Sequence, residues 1–200
     1  MQTAEFVVFD FDHTLYKGDC SVDFFKFVLR KKPLLSWHIP FIFLRALQWK
    51  FRLIDTNTFK ENFFSFLNGI DEAELQILVK EFWSNKSTIH FHQAVVSELK
   101  NLQHHTTVII TASPQILVEE ANKILGADYV IGTLISLHNK QFKLIGNNCK
   151  GIEKVNRFKH LFGAHTSIAK AYSDNVSDQP LFDAATKAFF IKNGIIKSIK

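Results

Sequence analysis

The sequence predicts an α/β protein: a Rossmann-like, doubly wound, mainly parallel sheet with an inserted α-helical cap module. Residues 6–9 are an uninterrupted apolar run, which is typical of a strand buried on both faces of a parallel sheet. From residue 93 onward, helical and strand patterns alternate as they do in βα units. A purely helical stretch separates these two parts. We therefore expect a Rossmann-like core of residues 1–18 and 86–200 and a helical cap of residues 19–85.

The composition is that of a globular protein with one well-buried core. Of the 200 residues, 46% are hydrophobic and 22% are charged, which argues against a disordered chain. The 24 basic and 19 acidic residues give a net charge of +5, which favours anionic partners without choosing among phosphate esters, nucleic acid and anionic lipid. The only cysteines, Cys20 and Cys149, exclude a disulfide or zinc framework. No leader-like segment precedes the first strand, so we expect a reducing, cytoplasmic location.

The predicted cap begins with a helix over residues 22–29, for which Asp19 and Ser21 are candidate N-caps. Residues 33–44 are uncharged, but this stretch is well short of the ~20 apolar residues that a membrane-spanning helix needs. Pro40 predicts a kink or two short helices there. Apolar residues then recur at helical spacing up to residue 84, and Asp71 is a candidate N-cap within this region.

The remaining chain predicts alternating elements of the core. The helices are expected at 93–102, 116–125, 151–161 and 178–185. The strands are expected at 107–111, 129–134, 168–172 and 188–191, with a hairpin that pairs 134–137 with 142–145 across Asn139.

Polar residues follow several of these strands at the points where they end. In open α/β sheets, ligands bind at the carboxyl ends of the strands, so these residues are expected at one edge. Each residue alone would more often be a turn residue, a helix cap or a surface lysine, but together they offer a nucleophile, an acid/base and cation ligands. They are Asp10, Asp12 and Thr14 after the strand at 6–9, Thr111 and Ser113 at the end of the strand at 107–111, Lys150 and Lys154 near a helix start, and Asp174 and Asp178 after the strand at 168–172.

Asp10 and Asp12 also predict a metal site. Two acids this close together repel each other unless a cation or a shared proton offsets their charge. A divalent cation is the simplest offset, and Mg²⁺ suits a few hard oxygen ligands together with substrate phosphate.

This set of motifs resembles the haloacid dehalogenase-like phosphohydrolase superfamily over essentially the whole chain. The helical insert directly after the first motif resembles the subgroup that includes phosphoserine phosphatases. The strings at 111–114, 148–155 and 172–174 resemble a branch that contains bacterial phosphatidylglycerophosphatase C-like proteins. His13 departs from the common pattern, in which Gly is frequent at this position.

The resemblance implies a role for each acid at the sheet edge. Asp10 would be the nucleophile that forms an aspartyl-phosphate. Asp12 would be the general acid and base that protonates the leaving oxygen and then deprotonates water. Asp174 would hold Mg²⁺ together with the Asp10 carboxylate and the Asp12 carbonyl, and Asp178 would bind or orient the water ligands of the metal.

The resemblance also implies phosphate-binding residues. Thr111 and the backbone around Ala112 and Ser113 would hold the phosphoryl oxygens, and a lysine would stabilise their charge. Lys150 matches the position used in phosphoserine phosphatases, and Lys154 matches the other branch, which the local string favours.

Asp19 matches an acid that binds the substrate amine in phosphoserine phosphatases. Acids near a helix start are favourable without any ligand, so a helix N-cap is the simpler interpretation of this residue.

The resemblance implies that the helical cap contacts the part of the substrate beyond phosphate, and the sequence of this segment does not identify that part. We expect a small phosphorylated metabolite such as phosphoserine, or a phospholipid head-group phosphate. Phosphotransfer with the same residues and a non-catalytic binding protein of this fold are the alternatives. The sequence does not predict an oligomeric state.

Residues 30–52 combine basic and aromatic side chains, a pattern that suits peripheral contact with the inner face of a membrane. A packed cap with basic side chains lying along its surface is the alternative interpretation. We expect no nucleic-acid partner, because the basic residues of the helices are interspersed with acids and no recognised binding motif is present.

Overall fold

In the computed structural model, residues 5–86, 88–102 and 104–200 are described, and they form a seven-stranded sheet. The sheet order is β4-β3-β2-β1-β5-β6-β7, with β1 in the centre. Strands β1, β2, β3, β5 and β6 run parallel, and β4 and β7 close the two edges as antiparallel hairpins. The strands are β1 Phe6–Phe9, β2 Thr106–Pro114, β3 Tyr129–His138, β4 Gln141–Ile145, β5 Ile168–Ser173, β6 Ala185–Lys192 and β7 Ile195–Ser198.

Both faces of the central strand are covered, which confirms the predicted doubly wound fold. Val7 and Phe9 join the apolar cluster on one face, and Phe6 and Val8 join the cluster on the other. Burial on both faces explains why β1 is an uninterrupted apolar run and why Asp10 emerges at a fixed point of the edge. The helices of the core are α5 Gln93–Asn101, α6 Gln115–Leu125, α7 Ile152–Phe162 and α8 Gln179–Ala184.

The helices between β1 and α5 match the expected helical insert. They are α1 Cys20–Lys31, α2 His38–Lys50, α3 Thr56–Phe63 and α4 Glu72–Ser84, with 3₁₀ turns at Pro33–Trp37 and Phe64–Leu67. Asp19 and Asp71 are N-caps, since their side chains accept hydrogen bonds from the N–H groups of Val22 and Glu74. A 3₁₀ turn at Pro33–Trp37 is followed by the single 13-residue helix α2, so Pro40 does not divide the segment as predicted. It lies in the first turn of α2, where a helix tolerates proline. None of the helices in the described part of the chain has both the length and the apolar character needed to cross a bilayer.

The inserted helices pack directly on the sheet. Phe24 and Phe82 of the insert belong to the same apolar cluster as Phe9 of β1. Trp83 of α4 makes an edge-to-face contact with Phe11, with 6.0 Å between the ring centroids. The insert is therefore held against the edge where β1 ends, and the domain boundaries at residues 18 and 86 remain a prediction.

Several elements differ from the sequence prediction at their ends. Strand β2 continues to Pro114, so Thr111 and Ser113 lie within the strand instead of after it. The predicted hairpin forms, with β3 continuous to His138 and a turn in which Asn139 and Lys140 have positive φ values of 50° and 58°. Strand β7 was not predicted, because it has four mostly exposed residues and pairs only at the sheet edge.

Gly132 of β3 provides a test of the packing between the sheet and α6. A Cβ atom at this position would lie 2.6 Å from Cα and 2.9 Å from the backbone N of Gln115, neither of which can move freely. We expect Gly132→Ala to lower the free energy of unfolding by about 1–3 kcal/mol, the usual cost of overpacking. Urea denaturation measures this loss. Gly18→Ala is the matched control, because its nearest contacts would be 3.4 Å, and an equal loss in both variants would contradict the explanation.

Candidate active site

Most of the predicted site residues line one cavity of about 290 Å³ at the carboxyl end of the sheet. The cavity lies between the strand ends and the inserted helices α1, α2 and α3. Thr111 is fully buried and does not line it. The predicted residues at the wall are Asp10, Asp12, Asp19, Ala112, Ser113, Lys150, Lys154, Asp174 and Asp178.

Asp10 is fixed by the sheet and by a buried lysine. Its N–H donates to the carbonyl of Tyr172 at 2.8 Å, which extends the pairing of β1 with β5 by one residue. The Nζ of Lys154 donates to Asp10 Oδ1 at 2.6 Å and to Asp178 Oδ2, also at 2.6 Å. Ser173 also donates to Asp178 Oδ2, at 2.7 Å. One ammonium group therefore bridges two carboxylates, and Asp178 is placed as a partner of that ammonium group.

Burial controls the ionisation of this group. Burial raises the pKa of Asp10 to about 7; Lys154 opposes that rise, and the Asp178 carboxylate adds to it. Burial lowers the pKa of Lys154, but the attraction of Asp10 and Asp178 outweighs it and leaves that pKa above its ordinary value. The lysine therefore stays charged, while Asp10 needs further positive charge to be a fully ionised nucleophile at neutral pH.

Asp12 is held by the start of α1 and by β2. Its Oδ1 accepts the backbone N–H of Cys20 at 2.7 Å, and its Oδ2 accepts the hydroxyl of Ser113 at 2.6 Å. The Ser21 and Ser113 hydroxyl oxygens are 2.9 Å apart, so Ser21 donates to Ser113 when Ser113 donates to Asp12. Burial and the nearby charge of Asp19 raise the pKa of Asp12. This carboxyl group is suited to carry a proton.

Thr14 positions Asp174 across the gap between β1 and β5. Its buried hydroxyl accepts the N–H of Asp174 at 3.0 Å and lies 3.3 Å from Asp174 Oδ1, to which it donates. The loop that carries Thr14 turns tightly, and His13 has a φ of 57°. This left-handed conformation is the one that glycine adopts most readily, which explains why glycine is frequent at this position of the motif. In this chain the His13 side chain is exposed and lines the cavity.

The charges at the cavity wall fit a divalent cation. Five carboxylates and three ammonium groups line the cavity, an excess of two negative charges when all are ionised. Asp10 and Asp174 are carboxylates on this wall, and hard oxygens of this kind are the ligands that Mg²⁺ takes in proteins. Among the described residues, no three His, Cys, Asp or Glu side chains group closely enough to form a metal site by themselves. A metal here would therefore need backbone, water or substrate oxygens as well.

The predicted phosphate-binding residues Thr111, Ala112 and Ser113 have two different positions relative to the cavity. The Thr111 hydroxyl accepts the N–H of Ser113 at 3.0 Å and lies 3.5 Å from Asp12 Oδ2. Thr111 therefore shapes the turn of the backbone behind the cavity. Ala112 and Ser113 are the members of the motif that reach the cavity itself.

The two candidate lysines occupy different environments. Lys154 lies in the first turn of α7, points inward and is almost completely buried. Lys150 lies before the helix and is exposed, although it also lines the cavity. Gly151, with a φ of 58°, redirects the chain between them. The contacts with Asp10 and Asp178 favour Lys154 as the lysine at the reacting group.

Lys60 of α3 is a site residue that the sequence analysis missed. Its Nζ donates to the carbonyl of Ala112 and, at 2.8 Å, to Oδ1 of Asn148. Burial lowers the pKa of Lys60 to about 8, although the negative charges of Asp12 and Asp19 act in the opposite direction. The signal in the sequence that could have identified Lys60 is a single lysine between the aromatic residues Phe59 and Phe63 of the predicted cap.

The inserted helices also provide an apolar wall. Phe59, Phe63 and Phe64 line the cavity beside Lys60, and Trp49 of α2 closes one side. Asp19 lies on the same cavity while it caps α1, so both interpretations of this residue fit its position.

Comparison with known proteins identifies the family. The model of the haloacid dehalogenase-like hydrolase family matches residues 7–183. The chain belongs to this family. The match confirms the predicted family and fold and the prediction of a hydrolase.

Individual relatives are more distant. Protein CicA of Caulobacter vibrioides is 37% identical over 81 residues, a match that spans 39% of this chain and only 36% of the length of CicA. A protein of unknown function from Bordetella pertussis Tohama I has a similar structure, with a TM-score of 0.79, 19% identity and coverage of 94% of this chain and 89% of its own. A phosphoserine phosphatase solved as a phospho-aspartyl intermediate analogue gives a TM-score of 0.58 at 16% identity, with coverage of 94% of this chain and 86% of its own. At these identities the solved structures show a shared fold.

Unfolding measurements test whether Lys154, and not Lys150, is the lysine that pairs with Asp10. Lys154→Met leaves two buried carboxylates without their partner, so we expect a loss of about 3–5 kcal/mol in the free energy of unfolding at neutral pH. Lys150→Met is the matched control, because an exposed side chain should change stability by less than about 0.5 kcal/mol. Urea denaturation of both variants measures the difference. Equal stability of the two variants would contradict the buried ion pair.

Proposed function

We propose that this protein is a phosphatase that hydrolyses phosphomonoesters through an aspartyl-phosphate on Asp10. The observation that carries the proposal is the buried Asp10 carboxylate, paired with Lys154 on the wall of a cavity that Asp12 also lines. A nucleophile, a proton donor and a fixed positive charge around one cavity are the groups that stepwise phosphoryl transfer requires. The family match supports hydrolysis as the reaction class.

In the first step, Asp10 displaces the alcohol of the substrate. Lys154 binds Oδ1 of Asp10, which leaves Oδ2 to attack phosphorus. The bond between phosphorus and the leaving oxygen breaks as the aspartyl bond forms, and Asp12 gives its proton to the leaving oxygen. The raised pKa of Asp12 supports this role, since the group can hold a proton before the reaction.

In the second step, water regenerates the enzyme. Asp12, now ionised, takes a proton from a water molecule that attacks phosphorus, and the bond to Asp10 breaks to release inorganic phosphate. Ser113 and the N–H of Cys20 orient the Asp12 carboxylate in this form. Lys154 stabilises the phosphoryl oxygens by its charge, and the backbone at Ala112 and Ser113 lies on the wall where further donors are needed.

We further propose Mg²⁺ as the cofactor. Asp10, Asp174 and the carbonyl of Asp12 would hold it, and Thr14 would orient Asp174 for this task. When bound, the ion supplies positive charge that favours ionised Asp10 and neutralises phosphoryl oxygens. The excess of negative charge at the wall supports this choice. Asp178 would act mainly by positioning Lys154.

The substrate class that we propose is a small phosphorylated metabolite such as phosphoserine, or a phospholipid head-group phosphate. The volume of about 290 Å³ suits a small group, and Asp19 on the wall could hold a substrate amine. The aromatic wall formed by Trp49, Phe59 and Phe63 instead suits an apolar substituent. The two free, buried cysteines are compatible with the reducing cytoplasm that we propose as the location.

Lys60 is our candidate for the cap residue that binds an anionic part of the substrate. Its ammonium group is almost completely buried, yet it donates hydrogen bonds to neutral acceptors: a carbonyl, an amide oxygen and a hydroxyl at 3.5 Å. A charge without a carboxylate partner at a cavity wall attracts an anion more strongly than a paired one does.

The mechanism predicts Mg²⁺-dependent hydrolysis of a generic aryl phosphate that is lost in Asp10→Asn. The amide cannot form the acyl-phosphate, so we expect kcat to fall by at least about 10³-fold. Release of the aryl alcohol measures turnover, and acid-quenched enzyme analysed by mass spectrometry detects the phosphoryl adduct.

Activity that survives in Asp10→Asn would contradict the aspartyl-phosphate mechanism. Aryl alcohol release that exceeds phosphate release when glycerol is added would identify phosphotransfer. A wild-type protein that binds phosphate esters but turns over none of a broad panel would favour a binding protein of the same fold.

The pKa of Lys60 predicts how substrate affinity depends on pH. The ammonium group loses its proton as the pH rises through about 8, so KM for an anionic substrate should increase above that pH. In Lys60→Met the KM should be higher than in the wild type at pH 7 and no longer rise through pH 8. Lys143→Met, at an exposed position of β4, is the control and should keep the wild-type profile. An unchanged KM in Lys60→Met would exclude the proposed contact.

A further inference from the structure

Helix α2 carries its apolar side chains on the face that points away from the protein. Ile39, Phe43 and Leu47 recur at i, i+4 and i+8 and are 45%, 64% and 37% exposed. Leu44 lies beside them and is 53% exposed. A surface helix normally presents polar residues on this face, so an apolar outward face indicates contact with something other than water.

Arg45 and Gln48 of α2 are only partly exposed. Arg45 donates to Gln48 at 2.9 Å and lies over the ring of Phe41, 5.0 Å from the centroid. Its Nε is buried and has no hydrogen-bond partner among the described residues. The helix thus leaves Phe43 and Leu44 more exposed than its arginine, which differs from ordinary amphipathic packing.

The same surface continues on both sides of α2. Trp37 in the preceding 3₁₀ turn is 69% exposed, and Phe51 just after the helix is also 69% exposed. We define the docking face as these two aromatic residues together with the four outward residues of the helix: Trp37, Ile39, Phe43, Leu44, Leu47 and Phe51.

The segment of the chain that carries the docking face contains basic residues and no acidic ones. Residues 24–54 contain no Asp or Glu, and basic residues stand at both ends of the face. At one end, Lys31 and Lys32 are paired with Glu81 and Glu74. At the other end, Lys50 and Arg52 are exposed beside Phe51. The face therefore complements a surface that is negatively charged and apolar underneath.

We propose that the docking face binds the surface of a membrane that contains anionic phospholipids. Aromatic and aliphatic side chains at this position can enter the boundary between head groups and acyl chains, while Lys50 and Arg52 contact lipid phosphates. A second copy of the chain fits less well, because a symmetric contact through this face would bring the same basic residues against each other.

The docking face adjoins the cavity of the candidate active site. Trp49 lies on α2 and also lines that cavity. A second cavity of about 680 Å³, lined by Trp49, Lys50, Arg52 and Leu53 among others, lies next to it and shares Trp49 and Thr56 with it. Membrane contact through α2 would place this end of the active site near the lipid head groups. The docking itself does not depend on the proposed hydrolysis.

Vesicle binding tests the proposal with tryptophans that the chain already contains. We expect the protein to sediment with phosphatidylcholine vesicles that contain phosphatidylglycerol, and at least about tenfold less with phosphatidylcholine alone. Trp37, which is 69% exposed on the docking face, should shift its emission to shorter wavelength on binding, whereas Trp83, which is 3% exposed, should not. The Trp37→Phe variant should therefore lose the shift. No sedimentation with anionic vesicles would overturn the proposal.

A pair of matched variants separates the docking face from general surface hydrophobicity. Phe43→Ser/Leu44→Ser should weaken vesicle binding by at least about tenfold, since two apolar side chains no longer enter the lipid. Ile77→Ser/Ile152→Ser removes two exposed apolar residues from α4 and α7 and should bind as the wild type does. Equal binding by the two double variants would contradict the assignment.

Two further measurements distinguish this inference from the proposed function and from self-association. Hydrolysis of a soluble aryl phosphate should be unchanged in Phe43→Ser/Leu44→Ser, so loss of docking and loss of chemistry are read separately. Analytical ultracentrifugation should give a monomer without lipid. A dimer that Phe43→Ser/Leu44→Ser dissociates would show that a second copy covers the face, and would overturn membrane docking.

Discussion

The candidate site depends on one buried ammonium group. Lys154 holds Asp10 after β1 and Asp178 after β5 at the same distance, 2.6 Å, and each of the three groups is nearly removed from solvent. Two buried carboxylates without this lysine would repel each other across the strand ends, and the sheet edge would have to admit water or protons. The fold and the chemistry therefore share a constraint: α7 must place its first turn on the two strands that carry these acids.

Much of this arrangement could be predicted because parallel strands impose it. An apolar run that is buried on both faces must release its first polar residues at the sheet edge, so Asp10, Asp174 and Asp178 could be assigned to one place from their order alone. Which of Lys150 and Lys154 reaches Asp10 depends on where α7 begins. The helix begins at Ile152, directly after Gly151, and the sequence alone does not fix that backbone conformation. Thr111 shows the same limit, since β2 runs on to Pro114 and turns that side chain behind the cavity.

The residues that could not be predicted are those whose position depends on packing between the insert and the sheet. Lys60 reaches Ala112 and Asn148 only because α3 packs beside the end of β2 and the segment that follows β4. Helical periodicity in the sequence does not predict that placement. The outward face of α2 is similar. Its spacing predicts a helix and its composition predicts affinity for lipid, but only the packed structure tells which of its residues face out.

The hydrogen bond between Asp12 and Cys20 has a consequence for the timing of catalysis. The residue that moves protons is tied to the first turn of α1, and α1 is the beginning of the segment that covers the cavity. Any displacement of α1 would stretch this bond and change how firmly Asp12 keeps its proton. The position of α1 therefore affects both the shape of the cavity and the proton affinity of Asp12.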